Sequence, residues 1–232
     1  MNYLHYLEKE IHSVIAATVD DSGLPVTCAI DIMDSDEKGL YFLTAKGKGF
    51  YTRLKKNEYV ALTGIKGKDT LSCVAISLRG NVKELGNTLL PWLLEKNPYM
   101  QEIYPTKESQ KALTVFLIYE GSGEWFNLSK QPIERASFTI GNKHKETHSY
   151  EITEKCIGCQ TCRTGCPQDC IDFSTVPAVI KQKNCLHCGN CFTVCSQKAV
   201  VDNVNINFTN LDRLIFTNLD QLSKSSKTSL TL

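Results

Sequence analysis

Short runs of alternating apolar and polar residues, separated by polar turns, fill the first 140 positions of the chain. Tyr3, Leu4, Leu7 and Ile11 recur at helical spacing and predict a short amphipathic helix over 1–12. Strand patterns follow at SVIAATVD (13–20) and, after the turn Asp20-Asp21-Ser22-Gly23, at PVTCAIDIM (25–33), its hairpin partner. The polar turn DSDEKG leads into LYFLTA (40–45), and KGKGFYTRLKKN (46–57) reads as a basic loop entering a short helix. Further strands are predicted at YVALTGI (59–65), LSCVAISLRGNVKEL (71–85), ALTVFLIYE (112–120) and EWFNLS (124–129). Between them NTLLPWLLEKNPYM (87–100) reads as a helix, with Asn87 as its cap and Pro91 in its first turn. Short strands with turns between them and few helices predict a small antiparallel barrel over 1–140. Cys28 and Cys73 fall in apolar strand contexts and read as buried small hydrophobes.

The pattern then changes. Residues 141–151, GNKHKETHSYE, are polar without apolar periodicity and suit a linker. Residues 152–204 hold eight of the eleven cysteines in two runs, with Cys170 between them. Cys156, Cys159, Cys162 and Cys166 read C-x2-C-x2-C-x3-C, and Cys185, Cys188, Cys191 and Cys195 repeat that spacing 29 positions later. This is the bacterial spacing for [4Fe–4S] clusters, and thiolate is the soft ligand that such clusters take. A structural zinc site more often uses two separated C-x2-C pairs, and a disulfide framework suits an odd total of cysteines poorly. Cys170 aligns with Ala199 in the repeat, so it reads as a packing residue, with Ile171 and Val200 as core. In 205–232, Leu211, Leu214, Ile215, Leu219 and Leu222 could line one face of a docking helix before a loose tail.

The cysteine repeat resembles the two-cluster bacterial ferredoxins, a small α+β unit, over roughly 50 residues. The resemblance implies that the fourth cysteine of each run serves the other cluster. One cluster would then use Cys156, Cys159, Cys162 and Cys195, and the other Cys185, Cys188, Cys191 and Cys166. Ser196 stands where that family usually has a second proline, which alters a turn and removes no ligand.

Charge is nearly balanced, with 26 basic and 25 acidic side chains, which gives no argument for nucleic acid as a partner. No apolar run approaches the roughly 20 residues that cross a bilayer, and MNYLHYLEKE does not read as a secretory signal. The expectation is a cytoplasmic protein that acts on neither membrane nor nucleic acid.

The order of elements in 1–140 looks like the flavin-binding split barrel of the pyridoxamine 5′-phosphate oxidase family. Gly23 and Pro25, a strand ending at Thr44, the basic residues Lys46, Lys48 and Arg53, and Asn57 with Val60 carry the resemblance. It implies a mainly β split barrel that binds FMN and forms homodimers, with the flavin between subunits. Thr44, Lys46 and Lys48 sit where a strand ends and a helix begins, a place suited to a phosphate. Thr27, Cys28, Ala29 and Ile30 would lie along the flavin ring, with Leu43 beside Thr44. Arg53, Lys55 and Lys56 read as surface residues, and Trp125 as either a ring cover or core. None of the five histidines forms an evident acid–base constellation, and no catalytic residue is assigned.

A flavin exchanges electrons singly or in pairs, so a barrel joined to clusters reads as a relay. The leading expectation is an FMN and iron–sulfur oxidoreductase that reduces a small organic substrate or a redox partner protein. Two others stand beside it: a flavin-free electron carrier on a dimerisation barrel, and a nitro-compound reductase akin to nitroimidazole-resistance proteins.

Overall fold

The computed structural model describes residues 1–143 and 147–205. Helix α1 (Tyr3–Tyr6), capped by the Asn2 side chain, continues as a wider turn over Leu7–Ile11. Then come β1 (Ser13–Val19), β2 (Pro25–Asp36), β3 (Gly39–Ala45), α2 (Gly49–Asn57), β4 (Tyr59–Lys66) and β5 (Val74–Gly86). Short helices α3 (Leu90–Lys96), α4 (Met100–Ile103) and α5 (Lys107–Gln110) lead to β6 (Leu113–Asn127) and β7 (Glu134–Ile140).

These strands form one antiparallel sheet in the order β3-β2-β1-β4-β5-β6-β7, closed into a six-stranded barrel by pairing of β3 with β6. Strand β6 does two jobs along its 15 residues. Its first half pairs with β3, from Leu113↔Ala45 to Ile118↔Leu40, and its second half carries β7, from Gly121↔Ile140 to Asn127↔Glu134. The sequence pattern predicts two strands here, broken at Gly121 and Gly123, and the structure corrects this to one. Gly121 opposes Gly80 on β5, and a Cβ on it would lie 2.4 Å from the Arg79 carbonyl oxygen. Glycine here permits close backbone approach and makes no turn.

Alternation on each strand sends one face inward. Val14, Ala16, Ile32, Leu40, Phe42, Val60, Leu62, Ile76, Leu78, Phe116 and Ile118 fill the barrel, and α2 adds Phe50 and Leu54. Phe42 stacks on Phe116 with centroids 5.6 Å apart. Truncating such a buried ring typically costs about 3–5 kcal/mol. A second cluster lies outside β3 and β6, where α3 and α4 bring Leu90, Leu93, Leu94 and Met100 onto Met33, Tyr41, Val115 and Leu117. Helix α3 is capped at Leu89 without a side-chain bond and has Pro91 in its first turn, so Asn87 is not its side-chain cap. Cys28 and Cys73 are half-buried, not fully buried as the pattern predicts.

In the segment expected to be a linker, Thr147–Ile152 form a strand, β8, that pairs antiparallel with β11 (Val200–Asn205). Its polar sequence hides the strand because hydrogen bonds to β11 hold it. Between them lie α6 (Thr161–Gly165), β9 (Ile171–Asp172), β10 (Val179–Ile180) and α7 (Asn190–Val194). A small core of Cys170, Ile171, Ala178, Ile180, Cys185, Cys191 and Val200 holds this unit. The helix predicted from Leu211 to Leu222 lies outside the described residues.

Candidate functional site

The two cysteine runs have matching backbones. Positive φ recurs at Gly158 and His187, at Gln160 and Gly189, and at Asp169 and Lys198, each pair one repeat apart. Each run is thus a tight loop that turns into a short helix, α6 or α7. In both, the sulfur of the fourth cysteine accepts from an N–H four residues on: Cys170 N–H to Cys166 at 3.4 Å, Ala199 N–H to Cys195 at 3.3 Å.

The sulfurs sort into two cavities. Cys156, Cys159 and Cys162 share one with Cys195, under Ile152, Phe173 and Val200. Cys185, Cys188 and Cys191 share the other with Cys166, beside Tyr150, Ile171 and Ile180. Each cavity therefore collects three cysteines of one run and the last of the other. Among the described residues no three Cys, His, Asp or Glu side chains converge on a single-ion position. A zinc site needs four donors around one ion, whereas a cubane cluster spreads its thiolates over separate irons.

Cys170 lies at the second cavity, buried, with its sulfur 3.4 Å from that of Cys166. Hydrogen bonding to Cys185, then burial, pushes its thiol up. Burial likewise raises the Cys191 thiol to about 11. At the exposed Cys159, hydrogen bonding to Thr161 lowers the thiol. His187, between Cys185 and Cys188, meets Tyr150 edge-on.

The barrel has a cleft of about 380 Å3 between β2, β3, the start of α2 and α4. This lies within the range of small-molecule and cofactor sites. Cys28, Ala29, Ile30, Leu43, Thr44 and Lys48 line it, with Ser13, Asp31, Met33, Met100 and Tyr104. Thr27 and Lys46 lie off it. Thr27 faces outward on β2 and Lys46 is exposed in the loop before α2. Thr44 is 4% exposed, and its hydroxyl Oγ1 is buried without a hydrogen-bond partner. Leaving such a group unpaired costs roughly 1–3 kcal/mol, so the site is built as if for a further polar ligand. Lys48 occupies the N-cap position of α2, where free N–H groups favour an anion. Gly47 is open, since a Cβ there would meet nothing within 4 Å.

The other basic residues of this segment are drawn elsewhere. Arg53 Nε donates to Thr18 at 2.8 Å, Lys55 pairs with Glu84 at 3.0 Å, and Lys56 with Asp21 at 2.6 Å. Arg53 is thus tied to β1, not simply a surface residue. Trp125 is a core residue, 6.0 Å from the Tyr3 ring.

One constellation escaped sequence reasoning. His12 Nε2 lies 2.9 Å from the Tyr99 hydroxyl, which donates to Asp31 Oδ2 at 2.8 Å, and Ser13 Oγ donates to Asp31 Oδ1 at 2.6 Å. Residues 12 and 99 are far apart in the chain, and no motif links them.

Residues 155–199 match the family described as a 4Fe-4S dicluster domain. The chain is also 42% identical over 45 residues to a component of the ion-translocating oxidoreductase complex of Methanosarcina acetivorans. That match covers 19% of this chain and 17% of the relative, so the chain spans only a small part of the relative's length. The barrel resembles a NimC/NimA family protein from Clostridium acetobutylicum, with a TM-score of 0.50 and 19% identity over 60% of this chain and 90% of that one. A second Clostridium acetobutylicum structure, related to general stress protein 26 and the pyridoxinephosphate oxidase family, gives a TM-score of 0.46 and 20% identity over 59% and 91%. The barrel therefore shares the fold of that NimC/NimA family protein, and a region that matches the 4Fe-4S dicluster family follows it in the chain.

Proposed function

We propose that this protein is an iron–sulfur flavoprotein oxidoreductase that passes electrons between two [4Fe–4S] clusters and FMN to reduce a small organic substrate or a redox partner. The observation that carries this reading is the sorting of eight cysteines into two cavities in a chain whose barrel holds a polar-ended cleft. Cys156, Cys159, Cys162 and Cys195 would hold one cluster, and Cys185, Cys188, Cys191 and Cys166 the other. FMN would place its phosphate at Thr44, Lys48 and the first N–H groups of α2, with its ring along Cys28, Ala29 and Ile30. The unpaired Thr44 hydroxyl supports that fit, because a phosphate oxygen would accept from it. When bound, a flavin supplies the step from single electrons to electron pairs.

A homodimer is part of the proposal. The paired strands β1 and β4 expose the large apolar side chains Ile15, Val19, Tyr59 and Ile65, with Ile15 paired between Ala29 of β2 and Thr63 of β4. Exposed apolar groups of this kind mark contact surfaces. We place the protein in the cytoplasm, a reducing compartment that keeps thiols free for iron. Among the described residues, no helix is long and apolar enough to cross a membrane.

The test is anaerobic purification with iron, sulfide and flavin measured per chain, and a visible spectrum. About eight irons with one FMN agree with the proposal. Eight irons and no flavin, even after FMN is added, leave an electron carrier on a flavin-free barrel. Reduction of a nitro compound that depends on flavin would name the substrate class.

A further inference from the structure

The cluster of His12, Tyr99, Asp31 and Ser13 lies at one end of the cleft, where Ser13 and Asp31 form part of the wall. Its hydrogen bonds have one direction. The Tyr99 hydroxyl has a single proton, and of its two acceptors Asp31 Oδ2 at 2.8 Å is much nearer than Met33 Sδ at 3.6 Å; with that proton on Asp31, the matching His12 tautomer donates to Tyr99 from Nε2. Burial first, and then the hydrogen bond to the Asp31 carboxylate, hold the Tyr99 phenol well above its ordinary value, so Tyr99 rests as the neutral phenol. A donor chain therefore runs from the His12 ring through Tyr99 to a carboxylate in the cleft wall. Asp31 is held from its other oxygen by Ser13.

The fold holds this arrangement tightly. His12 has φ 63 and ψ −65, a strained backbone for a residue with a side chain, and its carbonyl accepts from Ile32 N–H at 2.8 Å. The corner between α3 and α4 that carries Tyr99 is fixed by Asn97, whose side chain donates to the Met33 and Leu93 carbonyls, both at 2.9 Å. Lys96 pairs with Asp34 beside it. The His12 side chain stays about one-third exposed, as does that of Asp31. Both ends of the chain thus meet solvent, with His12 Nε2 3.8 Å from Asp31 Oδ2, and the Asp31 end also forms part of the cleft wall.

We infer that His12, Tyr99 and Asp31 form a proton relay that delivers a solvent proton to the molecule reduced in the cleft. The inference rests on the flavin reading above. Reducing a two-electron acceptor such as a quinone consumes two electrons and two protons. A reduced flavin held in the cleft would supply both electrons and one proton of that total. The relay supplies the second proton. Tyr99 would pass its proton to the Asp31 carboxylate at Oδ2 while taking one from His12 Nε2; Asp31 would then hand that proton to the acceptor and return to the carboxylate, and His12 would take a proton from water. Asp31 would be the catalytic acid, with Tyr99 and His12 as relay members behind it.

The test compares two acceptors with anaerobically reduced, FMN-loaded protein in a stopped-flow experiment. Benzoquinone needs protons on reduction, and ferricyanide takes electrons without them. FMN affinity is measured separately by fluorescence titration of wild type, Asp31→Asn, Tyr99→Phe and His12→Gln. The expected result is FMN binding within about threefold of wild type in all three variants. Benzoquinone reduction by D31N should fall on the order of 100-fold, as for loss of a general acid, with a smaller fall for Y99F and H12Q. Ferricyanide reduction should be unchanged in Y99F and H12Q, and the solvent deuterium isotope effect on the quinone reaction should change in Y99F. Equal slowing of both acceptors, or no slowing of benzoquinone, overturns the relay. Wild-type protein that takes up no FMN overturns the flavin reading and the relay with it. If D31N fails to fold, Y99F still decides, since it removes only the hydroxyl that links His12 to Asp31.

Discussion

The main-chain N–H of Ile133 donates to Oε1 of Gln168 at 2.7 Å, so the end of the barrel is bonded to the rim of a cysteine cavity. The Ile133 carbonyl also accepts from the Asn184 side chain at 3.0 Å, next to Cys185. Both partners flank the cavity of Cys166, Cys185, Cys188 and Cys191. That cavity is therefore seated on the barrel at the start of β7. Gln168→Ala with Asn184→Ala should remove about 1 kcal/mol of net docking per bond. Iron and flavin contents should stay the same, while electron transfer from reduced clusters to FMN slows in rapid-mixing experiments. An unchanged rate would show that this contact does not set the transfer geometry.

Cys195 lies in the cavity of the first run, so Cys195→Ala should damage the cluster held with Cys156, Cys159 and Cys162 and spare the other. Mössbauer and EPR spectra should report one intact [4Fe–4S] centre. Loss of the other centre alone would show that the ligand sets are not crossed. Cys170→Ala should keep the full iron content, because Cys170 packs beside Cys166 and is expected to bind no iron.

Thr44→Val keeps the shape of the side chain and removes its unpaired hydroxyl. The cofactor-free barrel should gain roughly 1 kcal/mol, since a buried polar group without a partner is gone. FMN affinity should fall about tenfold, the equivalent of roughly 1.4 kcal/mol. Lys48→Ala should also weaken FMN, with a strong dependence on salt. Melting curves and fluorescence titrations check both.

The apolar outer face makes a prediction about assembly. Ile15 is 53% exposed and Ile65 62%, on neighbouring strands. Ile15→Asp with Ile65→Asp should convert a homodimer to a monomer in analytical ultracentrifugation. The barrel should stay folded, because neither side chain is in its core.

Glu84 ties β5 to β6 and α2, accepting from Thr114 at 2.8 Å and pairing with Lys55 at 3.0 Å. Burial alone would raise its carboxyl, but the Thr114 and Lys55 hydrogen bonds outweigh that and hold it below the usual value. A carboxyl depressed in the folded state stabilises the protein above the unfolded value, about 4.3 for glutamate. That stability is lost as pH falls through the folded value. Acid unfolding followed by circular dichroism should therefore begin below about pH 4.5, and Glu84→Gln should flatten the curve there. An identical slope in the variant would remove Glu84 as a contributor.

The two sulfur-rich loops could be read from the residues because cluster ligation is local, with three thiolates a few residues apart on one tight turn. The alternating strands of the barrel were legible for a similar reason, since inward and outward side chains repeat every two residues. The sequence pattern missed what depends on distant partners. β8 carries polar residues and is a strand because β11 hydrogen-bonds to it. β6 continues through two glycines because β5 approaches it closely at Gly80 and Arg79. Arg53, read as surface, is fixed to Thr18 across the fold. His12, Tyr99 and Asp31 have no shared spacing, and they meet only because β1 pairs with β2 and Asn97 pins the helical corner to it. Residue types and short spacings announce the chemistry a chain can hold. Which side chains share a cleft follows from strand pairing and packing, whose energies come from contacts between residues remote in the chain.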